Sequence, residues 1–182
     1  MNEFFLKEDP KLFEKEFEKD RAECMWLISS DKIFPDEFTI LSDKSEKVPC
    51  SQLYHLEFMI YRSFLYDQTK TAESSVYARE VHVYMPSGIH CAMLESRMAK
   101  AVIIPKITIF KSCTINGTLC ALEKKEFSNC VINAFGMKDD LVGFSFRYTS
   151  LKDFYVQYKS NGTKEGSASA DIDFVKWEIK SS

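Results

Sequence analysis

The chain has 182 residues, of which 45% are hydrophobic and 28% are charged, a balance typical of a globular protein and unlike a disordered chain. Its formal net charge is −3 and no basic stripe is visible, which argues against nucleic acid as a partner. The longest apolar runs, such as residues 102–104, are far shorter than the roughly 20 residues of a membrane-spanning helix. We therefore expect a single domain over residues 1–182, with neither nucleic acid nor a membrane as partner.

Residues 1–24 are predicted to form a helical extension. Asp9 is a candidate N-cap, and Pro10 fits the first helical position. Phe13 and Phe17 lie four residues apart on an apolar stripe, and the opposite face is a run of charges. The same stretch has no basic region followed by a long apolar run, so no ordinary signal peptide is predicted, and export would need another route.

The region that follows this extension predicts short strands separated by polar stretches. The apolar run within residues 53–66 fits either a strand or a helix, and we favour the strand. Residues 76–84 alternate, with Val81 and Val83 on one face. The predicted strands are 25–28, 38–41, 53–66 and 76–84, and the predicted loops are 42–51, which contains Pro49, and 67–75.

A helix is predicted over residues 89–101, after which the pattern returns to strands. Asn116-Gly117 is a two-residue hairpin signal. Phe144 and Phe146 alternate with Ser145 and Arg147, which predicts a half-buried strand. The other predicted elements are a strand from Pro105, strands at 119–126, 127–135 and 154–158, a turn at Asn161-Gly162 and a closing strand at 172–179. This pattern predicts a mainly β, antiparallel barrel or sandwich with one interior helix.

Six cysteines stand at positions 24, 50, 91, 113, 120 and 130, and no pair has the C-x-x-C spacing. A chain of this length can build a core without disulfides. We therefore expect reduced thiols that are buried and act as small hydrophobic residues.

The histidines are the first candidates for catalysis. His55, His82 and His90 do not have the spacing of a metal-binding motif. His90 and Cys91 stand together at a predicted helix start, where the helix dipole favours a thiolate. Adjacent residues on a helix point apart, however, and a nucleophile and its base must come within hydrogen-bond reach. We therefore do not assign catalysis to this pair.

Carboxylate pairs and glycosylation sequons are the remaining candidates. Asp171 and Asp173 share a strand face and could hold a cation or act as acid and base, but we favour a solvated strand edge. Asp139-Asp140 is interpreted in the same way. The sequons that begin at Asn116 and Asn161 are better explained as tight turns. The sequence therefore predicts no catalytic, cofactor-binding or metal-binding residues and no cofactor.

The order of segments carries a family resemblance. Glu80-Val-His-Val-Tyr84 is followed by a short break, a helix at 91–101 and a strand at 102–110. A paired-strand region at 119–132 and the segment Asp140-Leu-Val-Gly-Phe-Ser-Phe-Arg-Tyr148 come next, before a turn at 159–163 and a tail at 172–174. Over residues 79–174, this order and character of segments resembles the Hcp family, the tube protein of type VI secretion systems.

The resemblance implies a β-barrel with a flanking helix over residues 25–182, and copies that assemble as a homo-hexameric ring. Rings of that family stack into a tube that is propelled from the cell and can carry effectors in its lumen. The implied partners are further copies, other secretion-system components and effectors. The implied location is the cytoplasm before assembly, followed by secretion by a signal-peptide-independent route. No catalysis is implied.

Two other hypotheses remain open. In one, the chain is a monomeric secretion adaptor or effector-binding module whose Phe-bearing N-terminal helix docks a partner. In the other, it is a small enzyme that uses Cys91 with His90, or Asp171 with Asp173. The mass in solution separates a ring from an adaptor, and a Cys91→Ser variant tests the thiol chemistry.

Overall fold

The structure is a computed structural model that describes residues 24–30, 33–41, 47–65, 73–159, 163–175 and 178–181. For residues 62–65, 73–76 and 178–181 it describes the backbone alone. The predicted N-terminal helix and the predicted turn at Asn161-Gly162 lie outside the described residues. The described part contains thirteen strands and one helix, which confirms the mainly β fold class.

The elements follow one another as strands on both sides of a single helix. The strands before the helix are β1 (Cys24–Ser29), β2 (Phe38–Leu41), β3 (Lys47–Leu53), β4 (His55–Glu57), β5 (Ile60–Leu65), β6 (Glu73–Ala78) and β7 (Val81–Pro86). The helix is α1 (His90–Ala99). The strands after it are β8 (Ile104–Ile115), β9 (Thr118–Lys138), β10 (Leu141–Arg147), β11 (Ser150–Tyr158), β12 (Lys164–Asp173) and β13 (Glu178–Ser181).

Strand β9 organises the fold because it is long enough to pair with several neighbours in turn. Strands β9, β2, β3, β1 and β8 are hydrogen-bonded in that order, and β8 pairs back with β9, which closes a barrel. Further along, β9 pairs with β11 and then with β10, which continues through β7 to β4. Closure leaves no open edge among the five barrel strands β9, β2, β3, β1 and β8.

Two hydrophobic cores lie on opposite faces of the barrel wall. Neighbouring residues Leu27 and Ile28 of β1 show this directly, since Leu27 belongs to the small core and Ile28 to the large one. The small core takes one fully buried side chain from each barrel strand. The large core packs the other face of that wall against β7, β10 and α1. In it, the rings of Phe127 and Phe146 meet edge to face with their centroids 5.3 Å apart.

Strands β5 and β6 form a separate two-stranded sheet, which the sequence predicted only in part. Tyr61 and Tyr77 are directly opposite each other in its register. The loop predicted at 67–75 was wrong for residues 73–75, which begin β6, and residues 67–72 lie outside the described part. The prediction of a strand rather than a helix at 53–66 is confirmed, but the stretch is not one strand: Leu53 ends β3, the chain bends at Tyr54, and residues 58–59 separate β4 from β5. Residue 66 lies outside the described part.

Other boundaries also differ from the prediction. The loop predicted at 42–51 was wrong from Lys47 onward, because β3 pairs with β2 at residues 47–50 and with β1 at residues 51–53. Pro49 therefore has a strand neighbour on one side only, which a residue without an N–H tolerates. Residues 42–46 lie outside the described part. The strands predicted at 119–126 and 127–135 are one strand, β9. The strand predicted at 172–179 is broken by a turn at 174–175.

Burial corrects two further expectations. Strand β10 lies between β7 and β9, so Ser145 is fully buried like the phenylalanines beside it, and the strand is not half-buried. Four of the six cysteines are buried as predicted, whereas Cys24 is exposed and Cys113 is half-buried. Cys24 also begins β1 rather than ending the N-terminal extension.

Candidate functional site

A cluster of charged and polar groups surrounds a buried lysine where β9 meets β11. Lys125 is only 1% exposed and lies directly opposite Asp153 in the strand register. Its Nζ donates to Oδ2 of Asp153 at 2.6 Å and to the hydroxyl of Tyr155 at 3.3 Å, and it forms an ion pair with Glu123. Paired in this way, a buried ammonium group keeps its charge, since each desolvated donor finds an oxygen.

In the charge cluster (Lys125, Glu123, Asp153 and Tyr155), the pKa values of Lys125, Asp153 and Tyr155 are raised above their ordinary values. Burial alone would lower the pKa of Lys125, but the hydrogen bonds and charges of Asp153 and Glu123 outweigh burial and raise it. Burial raises the pKa of Asp153, and Lys125 offsets only part of that effect. Oδ1 of Asp153 is buried without a hydrogen-bond partner. These groups hold one another in place through ion pairs and hydrogen bonds.

The charge cluster is covered by the base of the β5–β6 hairpin. Phe58 lies between β4 and β5, and the centroid of its ring is 4.6 Å from Nζ of Lys125. The same ring meets Phe127 edge to face, with the two centroids 6.3 Å apart. A cation over an aromatic face is attracted to it, most strongly away from water. The same ring therefore links the hairpin base to the charge cluster and to the large core.

The hairpin presents an aromatic pair at its surface. The rings of Tyr61 and Tyr77 stack with centroids 5.4 Å apart, and each residue is more than 40% exposed. The guanidinium of Arg79 lies 5.7 Å from the centre of the Tyr61 ring, and its backbone N–H donates to the carbonyl of Met59 at 2.9 Å. Exposed tyrosines beside an arginine are the composition that protein interfaces favour.

A second apolar surface borders the helix. Ile89 stands just before α1 and is 81% exposed, and Met93 follows it one helical turn later. Ile103, between α1 and β8, is 60% exposed. We call these three residues the helix patch, and Tyr61 with Tyr77 the hairpin patch. Exposed apolar side chains such as these are candidates for an interface with another chain.

The structure does not bring the candidate catalytic residues together. His90 is 2% exposed, and neither ring nitrogen has a hydrogen-bond partner. Burial lowers the pKa of His90, and the Pro86 carbonyl and the Glu37 carboxylate offset only part of that effect. The sulfur of Cys91 accepts instead from the backbone N–H of Gly88 at 3.4 Å. His90 is therefore a neutral core residue in contact with Phe34, whose ring lies 5.9 Å away.

The carboxylate candidates have structural partners. Asp171 pairs with Lys152 across β11 and β12 at 3.3 Å, and Oδ1 of Asp173 accepts from the backbone N–H of Val175 at 2.9 Å. Asp139 stands in the turn between β9 and β10 with a positive φ of 55°. Within the described ranges, no group of three or more His, Cys, Asp or Glu side chains could hold a metal ion.

The two-residue turn is found as predicted. Asn116 and Gly117 have φ of 51° and 76°, the values of a tight hairpin turn, which Asn-Gly tolerates.

The sequence did not predict the charge cluster or the hairpin patch. The four consecutive charged residues Glu123 to Glu126 are typical of a solvated strand, and the partner Asp153 comes from another strand. In the part of the chain that the structure describes, no helix combines the length and apolarity needed to cross a membrane.

Comparison with known proteins gives matches at the level of structure. No protein-family model and no curated protein sequence matches this chain. A solved "type six secretion system protein" superposes with a TM-score of 0.69 at 12% identity, over 86% of this chain and 99% of that one. Hcp1 from Salmonella typhimurium gives 0.63 at 13% identity, over 87% and 99%. The "secreted protein Hcp3" from Pseudomonas aeruginosa gives 0.52 at 12% identity, over 79% and 96%.

These matches agree with the resemblance seen in the sequence. They cover the barrel, and almost the full length of each neighbour is accounted for. The segments that carried the resemblance correspond to β7, α1, β8, β9 and β10, which build the large core. The described barrel with its single helix therefore has the fold of the Hcp proteins of type VI secretion systems.

Proposed function

We propose that this chain is an Hcp-like subunit of a type VI secretion tube and assembles with copies of itself into a six-membered ring. The observation that carries the proposal is the fold match over 86% of this chain and 99% of the neighbour. Such complete coverage leaves no large additional domain on the neighbour that would supply a different activity. The name of the Pseudomonas neighbour, which calls it secreted, supports the same role.

Closing a ring places a physical requirement on the surface of the subunit, and the surface of this chain can meet it. A ring built from one kind of chain needs two different patches that meet in a head-to-tail manner around the axis. The hairpin patch and the helix patch are two separate apolar surfaces on different elements. We propose that other subunits cover both patches in the assembled state, and that the next copy in the ring covers at least one of them.

The finer parts of the proposal follow from the same role. Rings stack into a tube, effectors travel with it, and the subunit leaves the cell without a signal peptide after assembling in the cytoplasm. The subunit acts by binding, without catalysis or a cofactor. The helical extension predicted over residues 1–24, of which the structure describes only Cys24, and the barrel predicted over residues 25–182 of one domain remain predictions.

Light scattering after size-exclusion chromatography tests ring formation. A ring gives a mass of about 127 kDa, six times the 21.1 kDa chain. Measurements over a wide range of protein concentrations are needed, because dilution dissociates a weak ring. A monomer at every concentration would contradict the proposal and support the adaptor hypothesis.

Charge substitutions then test which surface is covered. Tyr77→Glu on the hairpin patch and Ile103→Glu on the helix patch place an unpaired charge in any interface that covers them, which lowers association at least tenfold. Val175→Glu is the matched control, because Val175 is an exposed apolar residue outside both patches. If both patch variants assemble like the control, neither patch lies in the ring interface.

A further inference from the structure

Three cysteines form a row across three neighbouring strands. Cys24 of β1 is directly opposite Cys113 of β8, and Cys113 is directly opposite Cys120 of β9. Directly opposite residues in antiparallel strands project from the same face of the sheet. The row therefore places three thiols side by side, although they are far apart in sequence.

The hairpin turn distinguishes the two pairs. Asn116 and Gly117 form a two-residue turn, so its flanking residues Ile115 and Thr118 are a hydrogen-bonded pair. Hydrogen-bonded and non-hydrogen-bonded pairs alternate along the two strands. Two positions back from Ile115, Cys113 and Cys120 are therefore again a hydrogen-bonded pair. Cys113 then directs its backbone groups toward β9 and meets Cys24 as a non-hydrogen-bonded pair. Such pairs have Cα atoms about 4.5 Å apart, within the range that a disulfide spans.

Exposure favours the same pair. Cys24 is exposed and Cys113 is half-buried, whereas Cys120 is buried. Thiol–disulfide exchange needs an accessible thiolate to attack. Burial raises the pKa of the Cys120 thiol, so it ionises less readily. Cys24 is thus the thiol that an oxidant reaches, and Cys113 is its nearest neighbour across the strand pair.

We infer that Cys24 and Cys113 are a redox-sensitive dithiol that closes to an intrachain disulfide in oxidising surroundings. The Cys24 thiolate attacks glutathione disulfide, forms a mixed disulfide and releases one glutathione. The Cys113 thiolate then attacks the Cys24 sulfur, forms the protein disulfide and releases the second glutathione. The two protein thiols lose two electrons and two protons, which the two glutathione molecules carry away.

The disulfide joins two strands whose cysteines are 89 positions apart in the sequence. A cross-link that closes so long a loop restricts the unfolded chain strongly. It would be absent in a reducing cytoplasm and form outside the cell. That biological setting depends on the proposed export, but the chemistry of the dithiol does not.

Peptide mapping tests the inference on the full-length folded protein. After oxidation with glutathione disulfide, remaining thiols are alkylated and the protein is digested with trypsin. Cleavage places Cys24 in the peptide 22–32 and puts Cys113 and Cys120 together in 112–124. A Cys24–Cys113 bond links the two peptides, whereas a Cys113–Cys120 bond stays within one peptide. We expect the linked pair, a mass loss of about 2 Da and a fall from six titratable thiols to four.

Serine variants complete the test. Cys24→Ser and Cys113→Ser abolish the linked peptides, and Cys120→Ser, the matched control, retains them. Oxidation raises the melting temperature of the wild type and the control by at least about 5 °C, and dithiothreitol reverses this. Six thiols after oxidation, a bond within 112–124, or a cross-link between two chains would each overturn the inference. The expected bond lies within one chain, so the test is independent of ring assembly.

Discussion

Lys125 and His90 are both buried ionisable residues, yet the fold treats them in opposite ways. Lys125 is surrounded by two carboxylates, a tyrosine hydroxyl and an aromatic face, and its pKa is raised. His90 has no hydrogen-bond partner at either ring nitrogen, and its pKa is lowered. The first residue is buried as a charge and the second as a neutral ring. Burial therefore does not determine the charge state, whereas the partners supplied by neighbouring strands do.

The largest effect is expected from unpairing the charge cluster. Asp153→Ala removes the carboxylate opposite Lys125 and leaves a buried ammonium with fewer partners. We expect a loss of about 3 kcal/mol in the free energy of unfolding, because an uncompensated buried charge is costly. Urea denaturation measures the change. A loss below about 1 kcal/mol would mean that Lys125 reaches water easily, contrary to its 1% exposure.

His90 should make the protein sensitive to mild acid. Its folded pKa lies below the ordinary value of 6.5, so both folded and unfolded states hold the neutral ring above that pH. As the pH falls below 6.5, the unfolded state binds the proton and the folded state resists it. We expect a loss of about 1 kcal/mol between pH 7.5 and 5.5.

His90→Phe should remove that part of the pH dependence while keeping the contact with Phe34. Thermal unfolding of both proteins at the two pH values gives the comparison. The groups that face His90, namely Glu37, Pro86 and Gly88, are unchanged in the variant. Equal acid sensitivity in both proteins would show that the ring is already accessible to protons.

Removing both charges together should cost little. In the double variant Lys125→Met with Asp153→Leu, apolar side chains replace the central pair beneath Phe58, and Glu123 remains as a carboxylate with 14% of its side chain exposed to water. We expect a stability within about 1 kcal/mol of the wild type, because buried ion pairs contribute little net stability over apolar groups of similar size. Comparison with Asp153→Ala by urea denaturation isolates the coupling. A double variant as unstable as Asp153→Ala would show that the charges themselves stabilise this end of the barrel.

The smallest effect is expected at an exposed ion pair. Lys152 and Asp171 lie 3.3 Å apart with side chains 49% and 41% exposed. Lys152→Met should change the free energy of unfolding by less than about 0.5 kcal/mol, since water already solvates both charges. Chemical denaturation at low salt is the measurement. A change comparable to that of Asp153→Ala would contradict the contrast between buried and exposed pairs.

Local patterns in the sequence predicted much of the barrel. Alternation located β7 and β10, helical spacing located α1, and Asn116-Gly117 located the β8–β9 hairpin. Each of these signals is contained within a few residues. Pro49 suggested a loop because a proline disrupts a strand that has neighbours on both sides. Here it has a strand neighbour on one side only, because β1 pairs with β3 after this position, and no local pattern shows where that pairing begins.

The functional features were harder to predict because they depend on register between strands. The burial of Lys125 requires Asp153, which lies 28 residues further on. The pairing of Cys113 with Cys120 could have been found by counting back from the Asn-Gly turn, whereas the alignment with Cys24 could not. The hairpin patch requires β6, part of which is a polar stretch with little strand character.

Electron microscopy of negatively stained protein tests the central claim most directly. The account predicts annular particles whose class averages have six-fold symmetry and a central lumen, at concentrations where light scattering gives the hexamer mass. Tyr77→Glu and Ile103→Glu, compared with Val175→Glu, then show which patch supports the annulus. Single globular particles of the size of one chain, at every concentration, would contradict the account.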